Sequence, residues 1–301
     1  MVSVSPETWD LLQQAYDGGG WSTDFEQAWS NGQEFAHAQA GLRNRRPIII
    51  EWKGSHRAPG DEVAPIDLRI DHVYLISCKY LSKIMINASP SHLFRRLLKG
   101  GHGVRGEDWY QAVAGTEYQE LYEKVVSYLG CSDLPSNVSD LNQEQRKLIA
   151  QGIPRIWPKS VLSCYQNLAN VVAYRTAKLW QEVLTSTNES ETMLWRILRM
   201  GSAPYFILGT SATAPLRLRV ATPWDWRLKF RLSHFECHPQ KGDQPRVGWS
   251  TSIKDLHSDT LHIVEGHVEI RWSHGRFSGN PEAKVYLDTP HVKVPGYFPL
   301  R

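Results

Sequence analysis

The sequence predicts an α+β fold, and three observations carry that prediction. A helical pattern at residues 23–42 leads into short apolar, β-branched runs before residue 82. The stretch from 107 to 200 is almost wholly helical in its period. After Gly201 the character changes to alternating strands separated by Pro and Gly. These shifts divide the chain into 1–106, 107–200 and 201–301, with a soft boundary near residue 200 through which the β-rich tail can still share the core.

Each element follows from local signals. TDFEQAWSNGQEFAHAQAGL (23–42) has Ser22 or Thr23 as cap and Gly41 near its stop, with Phe25, Trp29, Ala36 and Ala40 on one face. PIIIEW (47–52) reads as a short buried strand, followed by a loop from Gly54 to Gly60. IDLRI (66–70) and VYLISCKYL (73–81) read as a hairpin. Ser89-Pro90-Ser91 caps a second helix, HLFRRLLK, closed by Gly100-Gly101. In the middle region EDWYQAVAGTEYQELYEKVVSYLG, QEQRKLIAQG, a long pattern near 160–185 and ETMLWRILRMG are the helices. LRLRV (216–220), WRLKFRL (226–232) and HVEIRW (267–272) are the clearest strands of the tail.

Composition bounds the function. With 301 residues, 41% hydrophobic and 22% charged, the chain has the make-up of an ordinary globular protein with ample core. A net charge of +3 is too small by itself to establish a nucleic-acid partner. The longest apolar runs, such as PIII at 47–50 and YFIL at 205–208, are far too short to span a bilayer. MVSVSPETWDLL lacks the basic-then-apolar pattern of a signal peptide, so a cytoplasmic location and no membrane partner are expected. Cys78, Cys131, Cys164 and Cys237 form no CxxC pair, which indicates neither a disulfide framework nor a zinc knuckle. No Gly-x-Ser-x-Gly elbow or GxxxxGK[ST] loop occurs, and the glycine-rich GGHGVRG (100–106) follows a helix and lacks the lysine-serine ending of a phosphate loop.

The chemistry concentrates in PIDLRIDHVYLISCKYL (65–81), an apolar hairpin with an aspartate early and a lysine late. Its arrangement of helix, strand, Asp-bearing strand, strand ending in x-x-Lys and helix resembles the PD-(D/E)xK nuclease superfamily. The resemblance covers residues 23–100, a third of the chain. Pro65-Ile66-Asp67 stands where the family has its Pro-Asp pair, with one residue inserted. Ser77-Cys78-Lys79 stands where the family has (D/E)xK, with serine replacing the acid. The resemblance implies a nuclease core with a mixed sheet and a Mg²⁺- or Mn²⁺-dependent phosphodiester hydrolase. Asp67 would hold the metal, Lys79 would orient or deprotonate the attacking water, and Cys78 would offer only its backbone carbonyl.

Side-chain alternation sets a condition on this reading. If 71–73 form the loop, Asp67 pairs with Ser77, and Asp67, Ser77 and Lys79 share a face. A two-residue turn at Asp71-His72 would instead pair Asp67 with Ile76 and turn Lys79 away. Both registers are open in the sequence. For the missing acid, Glu51 at the end of the preceding strand is the substitute expected beside Asp67, and Glu34 in the first helix is the other candidate. The plainer alternatives are turn-forming roles for Asp67 and Asp71 and a snorkelling strand-end role for Lys79. Two further ExK tripeptides fit less well: Glu51-Trp52-Lys53 has its nearest upstream aspartate, Asp24, on a helix, and Glu282-Ala283-Lys284, with Glu269 upstream, sits at the start of a strand, the wrong end.

Basic residues border the same hairpin. Arg43, Arg45 and Arg46 precede the first strand, Lys53 ends it, and Arg95, Arg96, Lys99 and Arg105 follow the hairpin. Such residues near phosphates supply affinity without sequence information. The tail interleaves Trp224, Trp226, Trp249 and Trp272 with Arg217, Arg219, Arg227, Arg246 and Arg271, a mixture suited to base stacking or to an ordinary β core. Its histidines, including His234, His238 and His291, read as solvent-facing strand residues, because i and i+4 on a strand lie too far apart to share a metal. Duplex DNA is the expected substrate, in a restriction, phage-defence or repair setting. A homodimer would fit, as many such nucleases dimerise to cut two strands. The alternative is a non-catalytic nucleic-acid-binding or assembly protein on a degenerate nuclease fold.

Overall fold

The computed structural model describes residues 2, 4–53, 66–98, 106–131, 133–211 and 214–301. Helix α1 (Pro6–Asp17), not foreseen above, starts at a Ser5 cap with proline in its first turn. Helix α2 (Ser22–His37) is followed by strands β1 (Ile50–Trp52), β2 (Leu68–Ile70), β3 (Tyr74–Tyr80) and β4 (Ile84–Ala88). The segment after β4 forms a π-helical turn at His92–Arg96. The middle region is helical as expected: α3 (Trp109–Leu129), α4 (Gln143–Gly152), α5 (Lys159–Val183) and α6 (Thr187–Ile197). The tail supplies β5 (Tyr205–Thr210), β6 (Pro215–Val220), α7 (Pro223–Lys229), β7 (Phe230–Gln240), β8 (Arg246–Asp255), β9 (Leu261–Arg271), β10 (Glu282–Leu287) and β11 (Tyr297–Pro299). This is an α+β protein, with its helical middle and strand-rich tail as the sequence predicts.

One strand expectation is corrected. Residues 226–229 are helical, because Thr222 caps the Asp225 N–H and Pro223 presets the first turn. The alternation in WRLKFRL becomes a strand only from Phe230. A Thr-Pro-x-Asp start signal outweighs a short period-2 pattern.

Two sheets interlock the regions. The first has the order β1-β2-β3-β5-β6-β11 and the second β4-β10-β9-β8-β7. The first three strands form an antiparallel meander, and β5 lies parallel to β3. A parallel neighbour needs a long crossover, and residues 81–204 with all of α3–α6 supply it. The segment 1–106 gives β4 to the second sheet, while the tail gives β5, β6 and β11 to the first. One large apolar cluster accordingly runs from Ile66 to Tyr297, and a smaller one sits between α2 and the mixed sheet.

Helix α2 docks by a different face from the one its apolar spacing suggests. Asn31 and Phe35 are its buried residues, and Trp29 is 70% exposed. Asn31 Nδ2 donates to the Gly209 carbonyl at 3.1 Å and its Oδ1 accepts from Arg217 Nε at 2.9 Å. Thr210 Oγ1 donates to Gln27 at 2.8 Å. Phe35 meets Phe206 and Tyr74 edge-on at 5.0 and 5.7 Å. The docking stripe is thus largely polar.

Candidate functional site

The site is built on the turn between β2 and β3. Asp71 and His72 take left-handed φ values of 50° and 59°, a conformation that aspartate tolerates better than most residues. Asp71 Oδ1 accepts from the Ile48 and Ile49 N–H groups at 2.7 and 3.0 Å, and Oδ2 pairs with Arg45 at 2.6 Å. Asp71 is therefore a turn anchor. The loop is 71–73, with Ile70 opposite Tyr74 and Leu68 opposite Ile76. Asp67 then brackets Ser77: its N–H donates to the Ile76 carbonyl at 2.9 Å, and Oδ2 accepts from the Cys78 N–H at 2.5 Å. Of the two registers, this is the one that sets Asp67 across from Ser77.

Alternation assigns the faces. Tyr74, Ile76 and Cys78 join the cluster beneath α2, whereas Leu75 packs into the large cluster on the other side. Ser77 and Lys79 share the side of Leu75. There Ser77 is buried and hydrogen-bonded with Tyr205 of β5. Lys79 Nζ donates to the Ile84 carbonyl at 2.6 Å. Burial first, and then the nearby Arg199 charge, push the lysine pKa below its ordinary value, with Asp67 partly opposing.

Residues distant in sequence complete the cluster. Arg199, 7% exposed and at φ 62° just past α6, donates to the Met85 carbonyl. His291 lies in a 3₁₀ turn rather than on a solvent-facing strand, and it is 8% exposed. Burial, then Lys79 and Lys83, lower its pKa to about 4, which leaves the imidazole neutral. Its Nε2 is buried with no hydrogen-bond partner among the described residues. It lines a cavity of about 330 Å³ at the carboxyl ends of β3 and β5, with Lys83, Thr210 and Ser211. The mouth of a parallel strand pair is a common ligand position. No sequence motif marks Arg199, Tyr205 or His291; only the parallel docking of β5 and the return of 288–297 bring them here.

The two acids proposed to replace the missing one do not join Asp67. Glu51 does lie opposite Arg69 on the Lys79 face. Its carboxylate takes two bonds from Arg69, at 2.6 and 2.8 Å, and a third contact from His72 Nδ1 at 3.1 Å. Those Arg69 bonds hold its pKa down at about 2. Glu34 pairs with Arg217 at 3.2 Å on α2, across the sheet from Asp67. The Cys78 thiol also points under α2, where burial pushes its pKa up to about 12, so it is no thiolate ligand.

A divalent metal is implied by the nuclease resemblance alone. Among the described residues no group of three or more His, Cys, Asp or Glu side chains gathers to hold one. Asp67 supplies one carboxylate, already accepting from Cys78. A Mg²⁺ there would draw its other oxygens from water and from a substrate phosphate, a coordination Mg²⁺ commonly accepts.

The basic residues divide. Arg45 is committed to Asp71, Arg43 Nε donates to the Gln39 carbonyl at 2.7 Å, and Arg46 is exposed. Lys53 sits 3.7 Å from Glu51, and its N–H donates to the Asp67 carbonyl at 2.9 Å. Arg95 pairs with Glu107 at 2.7 Å and covers the Trp109 ring, while Arg96 is half-buried beside it. Pro65, Lys99, Arg105 and the expected loops at 54–60 and 100–106 lie outside the described residues, apart from Gly106. No helix among the described residues is long and apolar enough to cross a membrane. No protein-family model, curated protein or solved structure matches this chain.

Proposed function

We propose that the chain is a phosphodiester-cleaving nuclease of the PD-(D/E)xK type, acting on duplex DNA with Mg²⁺ or Mn²⁺. The observation that carries this reading is the half-buried lysine of β3. Lys79 stands two residues beyond Ser77, on the sheet face where Asp67 brackets Ser77, with its pKa lowered by burial and by Arg199. A lysine shifted toward neutrality can take a proton from water, which is the role the resemblance gives it. Asp67 would hold the metal, which when bound supplies Lewis-acid polarisation of the phosphate. Arg199 keeps Lys79 from being a simple ion-pair partner, and a phosphate would meet Lys79, Lys83 and Arg199 as its cationic surroundings. The antiparallel meander followed by a parallel strand and a helix packed on the opposite face supports the same reading.

A second reading rests on its own observation. Glu51, the substitute acid, is clamped by Arg69. A site left with one carboxylate suits binding of a phosphate backbone without cutting, as on a degenerate nuclease fold. Cleavage of plasmid, linear duplex, single-stranded DNA and RNA separates the two, with Mg²⁺, Mn²⁺ or EDTA and with Asp67→Ala and Lys79→Ala alongside wild type. Metal-dependent cutting lost in both variants supports the nuclease. Binding without cutting under any metal supports the degenerate fold, and cutting that survives both substitutions sinks the site.

A further inference from the structure

Away from the mixed sheet, a second cleft has features that the proposed chemistry does not use. It encloses about 730 Å³ between the α4–α5 connection, the β7–β8 turn and the loop after β9. That size suits a small organic ligand and far exceeds a bare phosphate. Its wall holds a stack of three flat groups. Tyr165 and Trp157 lie with ring centroids 4.6 Å apart, and the Arg276 guanidinium caps Trp157 at 3.7 Å. Gly275, at φ 109°, makes the turn that delivers Arg276. Arg276 spends Nη1 and Nη2 on the Pro154 and Arg155 carbonyls at 2.6 and 2.7 Å, so the plane is fixed by its edge and its face does the lining.

The rest of the lining is rich in donors. Arg155 is exposed at the rim, and Arg271 reaches the cleft from the end of β9. Arg271 Nε and Trp272 Nε1 are buried donors with no acceptor among the described residues. Arg246 Nε, next to them on β8, is in the same state. Glu269 engages the other ends of Arg246 and Arg271 at 2.7 and 3.5 Å, which leaves Asp243 as the carboxylate in the lining. Guanidinium groups such as those of Arg155 and Arg271 make charge-assisted hydrogen bonds to a phosphate. A guanidinium plane extending an aromatic stack is what a nucleobase stacks upon.

We infer that this cleft binds a nucleoside phosphate, its base laid on the Arg276 plane and its phosphate meeting the Arg155 and Arg271 guanidiniums. The nucleotide comes either free or as a unit of a nucleic-acid strand, and the same chemistry serves both. The inference stands apart from the Asp67–Lys79 site.

The test is a titration of the full chain with AMP, GMP, CMP, UMP, a short single-stranded oligodeoxynucleotide and inorganic phosphate. Calorimetry and the quenching of tryptophan fluorescence are the readouts. The expected result is binding of nucleotides at least tenfold tighter than inorganic phosphate, weakened about tenfold or more by Arg276→Ala. Arg155→Glu, at an exposed position that cannot upset the core, should weaken it comparably. Mononucleotide binding that both arginine substitutions weaken assigns a free ligand, and oligonucleotide binding alone with the same sensitivity assigns a strand; either supports the cleft. Phosphate binding as tightly as nucleotides, affinities unmoved in both arginine variants, or no binding of any probe at millimolar concentration would overturn it.

Discussion

On the α2 side of the mixed sheet, Ile76 and Phe206 are 1% and 0% exposed and press against Phe35. On the other side of the same strands, Ser77, Lys79 and Tyr205 form a polar cluster with Arg199 and Asp67. The contrast shows how a strand of seven residues serves both stability and chemistry. Side-chain alternation lets β3 anchor the helix with every second residue and present the site with the rest. Because the apolar face fixes register, the polar face is held in place by residues that never touch it.

The largest effects should fall separately on the two faces. Asp67→Ala and Lys79→Ala are expected to reduce DNA cleavage by about 10²–10⁴-fold, with the urea midpoint of unfolding close to wild type. Phe206→Ala should do the reverse, lowering stability by about 3–5 kcal/mol while the folded fraction retains its turnover. Parallel denaturation and cleavage measurements read both. Loss of turnover in a fully folded Phe206→Ala protein would mean that the faces do not act independently.

The pH dependence sharpens the polar side. Lys79 is a base only when deprotonated, and its pKa lies below that of a free lysine. Cleavage should therefore rise with pH through a midpoint below 10.5, the ordinary lysine value. Lys79→Arg keeps its proton throughout, so the rise attributable to this residue should vanish. A wild-type profile that is flat across the alkaline range would remove the lysine from the proton transfer.

How much of this was legible follows the same division. The hairpin, the helix at 143–152 and the middle helices are readable because their signals are local: caps, turn residues and period. The register of the hairpin was one of two allowed, and Asp71 decides it by bonding back to Ile48 and Ile49. The docking face of α2 escapes the apolar spacing because Asn31 and Gln27 meet the sheet by hydrogen bonds, of which that spacing carries no record. The sequence expects Glu51 beside Asp67, but Arg69, its cross-strand partner, captures it. Arg199, Tyr205 and His291 reach Lys79 only through the crossover and the final return of the chain, which are tertiary facts.

Glu51 yields a smaller, pH-dependent effect. Its folded pKa of about 2 lies below the ordinary carboxylate value, so its contribution to stability is complete above about pH 4.5 and fades as pH falls toward 2. Glu51→Gln leaves the half-buried Arg69 without its carboxylate and should cost about 1–3 kcal/mol at neutral pH. Urea melts of the two proteins should differ at pH 7 and converge between pH 4.5 and 2. A constant gap across that range would show that Glu51 matters for packing and not for charge. Cleavage by Glu51→Gln is the sharper comparison: activity within a few-fold of wild type keeps Glu51 on the structural side, as its bonds to Arg69 suggest.

The smallest effect belongs to Cys78, which stands between the two catalytic candidates in sequence and on the opposite face in space. Its backbone N–H holds Asp67, while its thiol packs under α2. Cys78→Ala keeps the N–H and removes one sulfur from the apolar cluster, so cleavage should stay within about threefold of wild type and stability should fall by only about 1 kcal/mol. With the thiol pKa near 12, iodoacetamide should leave Cys78 unlabelled in the native protein at pH 8 and label it once urea unfolds the chain. Rapid native labelling, or a large loss of cutting in Cys78→Ala, would place the sulfur on the Lys79 face, and the division of β3 into an anchoring side and a chemical side would have to be abandoned.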